Sequence, residues 1–240
     1  MSLRSSSAER LLSPRYGPGA CPRCLNLTGA CGLCRACGAN EQHLAAVVPI
    51  SYSVGGEWLH NLIASYKRDA DPSVPDALAT LAELCEDFLG THEPCVAAAS
   101  TVSEFELVTT VPSADPLRDL HHPLRRMAGE LVLRTSHRYE RLLLRSDTLA
   151  IPRVFDPARY RPTRQLNGEA ILLVDDMWTS GASAESAAAA LRAAGAGPVA
   201  LVVIARHLNR DWHQNDGRLT RLARDGFDAD HCVLCARSAR

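Results

Sequence analysis

Lysine is almost missing from this chain of 240 residues: Lys67 is the one lysine among 26 basic residues, the others being arginine. With abundant alanine, that bias fits GC-rich coding, and it marks the lysine retained in Tyr66-Lys67-Arg68 as a candidate for a specific role. Aromatic residues are scarce as well, at 5%, so a surface that stacks bases of single-stranded nucleic acid has little to build on. No apolar run approaches the ~18 residues that cross a bilayer, which excludes a membrane-spanning helix. The net charge of −1 neither demands nor excludes a polyanionic partner. Residues 1–20 are rich in Ser, Arg and Pro and lack the apolar stretch of a secretory leader, so they read as a disordered lead-in to a cytoplasmic protein.

Cysteine is the exception to this poverty. Nine cysteines in a cytoplasmic chain point to metal or thiol chemistry before disulfides. Cys21-Pro-Arg-Cys24 and Cys34-Arg-Ala-Cys37 are two knuckles with nine residues between them. Each brings two thiolates to one side of a tight turn, and together they complete a tetrahedral zinc site with no open position, hence a structural one. Gly38 is expected to free the backbone behind the second knuckle. Cys31 competes for a place in that knuckle. Cys232-Val-Leu-Cys235 is a third pair, able to replace one knuckle or to hold a second metal with Cys31. Spacing alone does not separate zinc from an iron–sulfur cluster. One zinc per chain is expected from Cys21, Cys24, Cys34 and Cys37. Cys85 and Cys95 read as ordinary core residues.

The most informative segment runs from Ile171 to Ser183. Ile171-Leu172-Leu173-Val174 reads as a buried strand of a parallel sheet, and Asp175-Asp176 stand where it ends. Thr179, Ser180 and Gly181 make a short turn, and an alanine-rich helix opens after Ser183. Strand, turn and helix in that order form an anion site. Backbone N–H groups at the helix start, at Gly181, Ala182 and Ser183, point to a phosphate, and the hydroxyls add donors. Ionised carboxylates only accept hydrogen bonds, so Asp175 and Asp176 suit sugar hydroxyls or Mg2+. Phosphate and sugar side by side indicate a ribose 5-phosphate-like ligand.

Other elements alternate around this segment. Strands are expected at Leu44–Ser53, Phe105–Val111, Leu142–Leu144 and Val199–Ala205, and helices at Glu57–Tyr66, Val74–Leu89 and Leu124–Leu133. Such alternation implies an α/β fold with a doubly wound, mostly parallel sheet whose ligands bind at the carboxyl ends of strands. Two further strand ends are therefore of interest, Val111-Pro112-Ser113 and Arg206-His207, the latter read as a solvated exit. Lys67, Arg68, Asp69 and Asp71 form a charged helix exit. Residues 118–145 hold seven arginines and three histidines against three acids, which suits a hood of positive charge over pyrophosphate and ordinary solvated faces better than a nucleic-acid groove.

The Ile171–Ser183 segment resembles the phosphoribosyl-diphosphate (PRPP) motif of type I phosphoribosyltransferases: hydrophobics, two acids, two variable residues and a T-T/S-G-x-T/S loop. The order of parts, from the cysteine knuckles through Tyr66-Lys67, the Val-Pro loop and the arginines Arg159, Arg161 and Arg164, resembles the ComF/GntX family of that fold. One departure is the segment Ser113-Ala114-Asp115-Pro116-Leu117-Arg118, which lacks the Arg-Gly-Phe-Asn-Gln signature of many members. The implied organisation is a lead-in (1–20), a zinc-ribbon-like module (21–43), a phosphoribosyltransferase-like domain (44–210) and a C-terminal extension (211–240).

The resemblance implies binding of PRPP with Mg2+ and transfer of its 5-phosphoribosyl group to a nitrogen nucleophile. Thr179–Ser183 would hold the 5-phosphate, Asp175 and Asp176 the ribose, and Lys67 and Ser113 the pyrophosphate. A second expectation is a non-catalytic protein that keeps the PRPP site and serves DNA uptake or processing through its zinc module, with single-stranded DNA as partner. Oligomerisation is compatible with either.

Overall fold

The computed structural model describes residues 9–67, 73–113, 115, 119, 121–147, 151–212 and 215–235. Residues 1–8 of the expected lead-in, Arg68, Asp69 and Asp71 of the charged exit, Ala114, Pro116, Leu117 and Arg118 of the departing segment, and residues 236–240 lie outside them.

A parallel sheet carries the fold. Its strands are β1 (Ala46–Val54), β2 (Leu107–Thr110), β5 (Ile171–Trp178) and β6 (Val199–Leu208), in the order β1-β6-β5-β2. A separate antiparallel ribbon pairs β3 (Leu143–Arg145) with β4 (Tyr160–Pro162). The sheet strands read as near-continuous apolar runs because both faces are covered. Val48, Ile50, Leu172, Val174, Val202 and Ile204 enter one apolar cluster, while Val47, Ile171, Leu173, Leu201 and Val203 enter the other. Odd and even residues thus part to opposite faces, as a side-chain period of two requires. Pro49 is tolerated because β1 is an edge strand, with β6 on one side only.

The helices are α1 (Arg35–Ala39), α2 (Trp58–Ser65), α3 (Val74–Ala99), α4 (Pro123–Arg126), α5 (Leu133–Ser136), α6 (Ala182–Ala193) and α7 (Asn215–Asp225), with a π-helical turn at Met127–Leu131. The helix expected at Leu124–Leu133 is therefore broken, α4 passing into that turn. Helix α3 runs ten residues past its expected end at Leu89, to Ala99, through Gly90 and Pro94. Burial of His92, Val96 and Ala97 outweighs the local helix-breaking tendency of the two residues. Arg134 lies over Gly90, its Nε 3.0 Å from where a Cβ would stand.

The disordered lead-in is corrected over residues 11–14, all buried. Leu12 N donates to Ser51 Oγ at 3.0 Å and Leu12 O accepts from Tyr52 N at 2.9 Å, so the segment covers the outer side of β1. Two adjacent leucines in the polar lead-in were the available signal. No helix among the described residues is long and apolar enough to cross a membrane.

Candidate functional site

The carboxyl ends of β2 and β5 open on a cleft. Its lining includes Lys67, Pro112, Ser113, His122, Asp175, Asp176 and Trp178, together with Thr179, Ser180, Gly181 and Ser183. Residues expected from widely separated stretches thus meet in one place. Ala182 is buried as the first residue of α6 and does not line the cleft.

Asp176 is the most tightly held of them. Tyr66 Oη donates to its Oδ2, and Lys67 Nζ lies 2.9 Å from Oδ1 and 2.8 Å from Oδ2. Helix α2 ends at Ser65, and the next two side chains therefore reach the strand end together. Asp175 is half-buried, and its Oδ1 accepts from Asp176 N at 2.9 Å. Burial, with the neighbouring Asp176 charge second, raises the Asp175 carboxyl to about 8, against the pull of Lys67. Burial likewise pushes the Tyr66 phenol well above its ordinary range, so it serves as a donor.

The loop after β5 is shaped by Gly181, whose φ is +82° and which caps α6. A Cβ there would come within 2.1 Å of the buried Trp178 ring. Substitution by Val therefore disturbs the fold locally as well as any ligand site at the loop. The first backbone N–H groups of a helix lack intrahelical acceptors and carry its positive end, here beside the cleft-lining Gly181 and Ser183. Arg159, buried and contacting Ser183 Oγ at 3.3 Å, adds charge behind the loop. Arg161 is exposed, and Arg164 pairs with Glu140 and Glu169.

Across the cleft, Ser113 N donates to Asp119 Oδ1 at 3.0 Å, and Arg141 pairs with the other carboxylate oxygen at 2.7 Å. His122 was not singled out by sequence reasoning. It lines the cleft, its Nδ1 is buried with no hydrogen-bond partner among the described residues, and burial lowers its pKa, favouring the neutral ring. Trp178 Nε1 is likewise buried and has no partner among the described residues. Arg206 lies beneath the loop and donates to Trp178 O at 3.0 Å, whereas His207 packs near His60 and does not line the cleft. Four arginines of the positive stretch are paired to acids: Arg126, Arg134, Arg138 and Arg141 face Glu130, Glu86, Glu93 and Asp119.

The cysteine knuckles lie against the sheet face that α6 covers. Sγ atoms of Cys21, Cys24, Cys34 and Cys37 lie within 4.8 Å of one another, all four residues are buried, and they can hold a structural metal such as zinc. Cys34 caps α1, its Sγ accepting from Cys37 N at 3.5 Å. Leu25, with φ +61°, is left-handed after the first knuckle, as are Gly29 and Gly32 before the second. Gly38 is part of the α1 helix, so its expected special turn is corrected. Cys31 is exposed and outside the cluster. Cys232 and Cys235 are elsewhere, beside His92 and Cys95. Cys232 and Cys235 are thus apart from the first cluster, for which they were alternative ligands, and Cys95 packs against the main apolar cluster as expected while also facing them.

The knuckles also touch the loop. Asn40 Nδ2 donates to Ser180 O at 2.8 Å. Glu185 of α6, fully buried, accepts from Arg23 Nε at 3.0 Å and from the backbone N–H groups of His43 and Leu44 at 2.8 and 3.1 Å. Neither Asn40 nor Glu185 carried a sequence signal, since each acts across more than a hundred residues. No protein-family model, curated protein or solved structure matches the chain.

Proposed function

We propose that this chain is a PRPP-binding protein of the type I phosphoribosyltransferase fold, akin to the ComF/GntX family, that transfers 5-phosphoribosyl to a nitrogen nucleophile. The observation that carries the reading is the single cleft shared by the acid pair, the helix-start loop, Lys67 and Ser113. A catalyst for this reaction must hold the 5-phosphate, fix the ribose and neutralise the leaving group. The Thr179–Ser183 loop takes the phosphate, aided by Arg159. Asp175 and Asp176 accept from the ribose hydroxyls or bind Mg2+, whose role is to screen pyrophosphate. Lys67 and the Ser113 turn face the leaving group, with His122 beside them. The nucleophile's nitrogen forms its bond to C1 as the C1–O bond breaks, and the electron pair leaves with pyrophosphate. Pyrophosphate arriving at Lys67 would draw the ammonium from Asp176 and free that carboxylate for the sugar. The four-cysteine group holds a structural zinc that braces the loop through Asn40.

The test is turnover. Wild-type protein with PRPP, Mg2+ and a panel of nitrogenous bases is expected to release pyrophosphate in step with a ribosylated product. Asp175→Asn with Asp176→Asn should stop it. PRPP binding without pyrophosphate release for any base would instead select the non-catalytic reading. DNA affinity falling steeply with salt would then be the next measurement.

A further inference from the structure

We propose that the chain holds a second structural zinc, bound by His92 and Cys95 of α3 and by Cys232 and Cys235 of the C-terminal segment. The four donor atoms lie within 4.8 Å of one another. Cys232 Sγ is 3.5 Å from Cys235 Sγ, which is 3.6 Å from Cys95 Sγ and 3.6 Å from His92 Nδ1. A tetrahedral zinc with Zn–S of about 2.3 Å and Zn–N of about 2.0–2.1 Å has S–S edges of roughly 3.8 Å and N–S edges of roughly 3.6 Å. The separations match those edges closely. A disulfide needs about 2.0 Å between sulfurs, far less than either S–S distance here.

The histidine is prepared for the role. Its Nε2 lies 2.9 Å from Ala229 O, a carbonyl that can only accept. Nε2 therefore carries the proton, and the Nδ1 lone pair is left toward the thiols, the arrangement that orients a metal-bound imidazole. His92 is 2% exposed, and the i, i+3 spacing of His92 and Cys95 puts both on one side of α3. The other two ligands come from a CxxC knuckle, the usual device for placing two thiolates on one ion. Cys232, Val233 and Leu234 are buried in the main apolar cluster, so the ligands are positioned by packing that exists without the ion. The site is separate from the Cys21–Cys37 cluster, and Cys31 belongs to neither.

Its effect is to staple the C-terminal segment to α3. That segment also meets the N-terminal one, where Asp228 N donates to Ser13 Oγ at 2.8 Å. Both ends of the described chain are thereby fixed on one sheet face, remote in sequence from the loop that binds ligand.

The experiment is zinc analysis of the full-length protein purified under reducing conditions. Two zinc ions per chain are expected, and X-ray absorption should report seven sulfurs and one nitrogen over both, the sum of the two sets. Cys235→Ser and His92→Ala should each retain one zinc. Cobalt substitution gives a readout independent of those variants, because the cobalt spectrum should show two distinct thiolate environments, one of them with a nitrogen ligand. The proposal is overturned by a wild type with one zinc that Cys235→Ser leaves in place. It is equally overturned by a disulfide among Cys95, Cys232 and Cys235, or by iron and sulfide at this position.

Discussion

Asp175 and Asp176 are neighbours in sequence with opposite surroundings. Asp176 is met by a cation and a phenol, while half-buried Asp175 forms no ion pair among the described residues and has its carboxyl raised to about 8 by burial and by the Asp176 charge. The sign of the resulting pH dependence follows. Unfolded, Asp175 loses its proton near its ordinary value of 3.8, so between there and about pH 8 the folded chain binds more protons. Stability contributed at this position therefore falls as pH rises through that window. Urea unfolding at pH 5 and pH 8 should show wild type losing more stability than Asp175→Asn over the interval; an identical change in both proteins would remove the argument. A ligand that needs the carboxylate should bind more tightly as pH approaches 8 and should release a proton. None of this was legible in the sequence beyond the presence of two acids, because the difference comes from Tyr66 and Lys67 more than a hundred residues away.

Elements differ in how far the sequence revealed them. β5 and α6 could be read in part, one as the apolar run Ile171–Val174, although the strand continues through Asp175 and Asp176 to Trp178, and the other as an alanine-rich stretch after a glycine, although it opens already at Ala182. α3 could not be followed past Gly90 and Pro94, because its last turns are held by tertiary burial. That hidden extension is where His92 and Cys95 lie, so their meeting with Cys232 and Cys235 was out of reach. The two knuckles were legible from spacing, but their bond to the loop was not. The shared apolar cluster with α6, and the buried Arg23–Glu185 pair with side chains 14% and 2% exposed, make α6 part of their support. Removing the metal should therefore weaken ligand binding as well as loosen residues 21–43. Asn40→Ala should keep its zinc yet bind PRPP about 2- to 10-fold more weakly, the worth of one neutral hydrogen bond. Calorimetry on the zinc-free and Asn40→Ala proteins checks this, and full affinity in the zinc-free protein would contradict it.

For the whole molecule, the parallel sheet divides the labour between its faces. One face gathers α3 with the two terminal segments, and the other gathers α6 with the cysteine knuckles; the cleft lies at the strand ends between them. Among the described residues, Arg126, Arg134, Arg138 and Arg141 are paired to acids, and the cleft itself is lined by one lysine, Lys67, and no arginine, so it is an anion site of limited extent. That distribution favours a small phosphorylated sugar over a long polyanion.

The most direct test of this account is calorimetry of PRPP with Mg2+ on wild type and on the Asp175→Asn, Asp176→Asn double variant, beside inorganic phosphate on both. The account predicts saturable PRPP binding to wild type. It also predicts a loss of about 10- to 100-fold or more in the double variant, the worth of one or more hydrogen bonds to a charged group, while phosphate, held by the helix-start loop, changes little. No heat from PRPP on wild type, or an equal loss for PRPP and phosphate, would contradict the assignment of the acid pair to the sugar and of the loop to its phosphate.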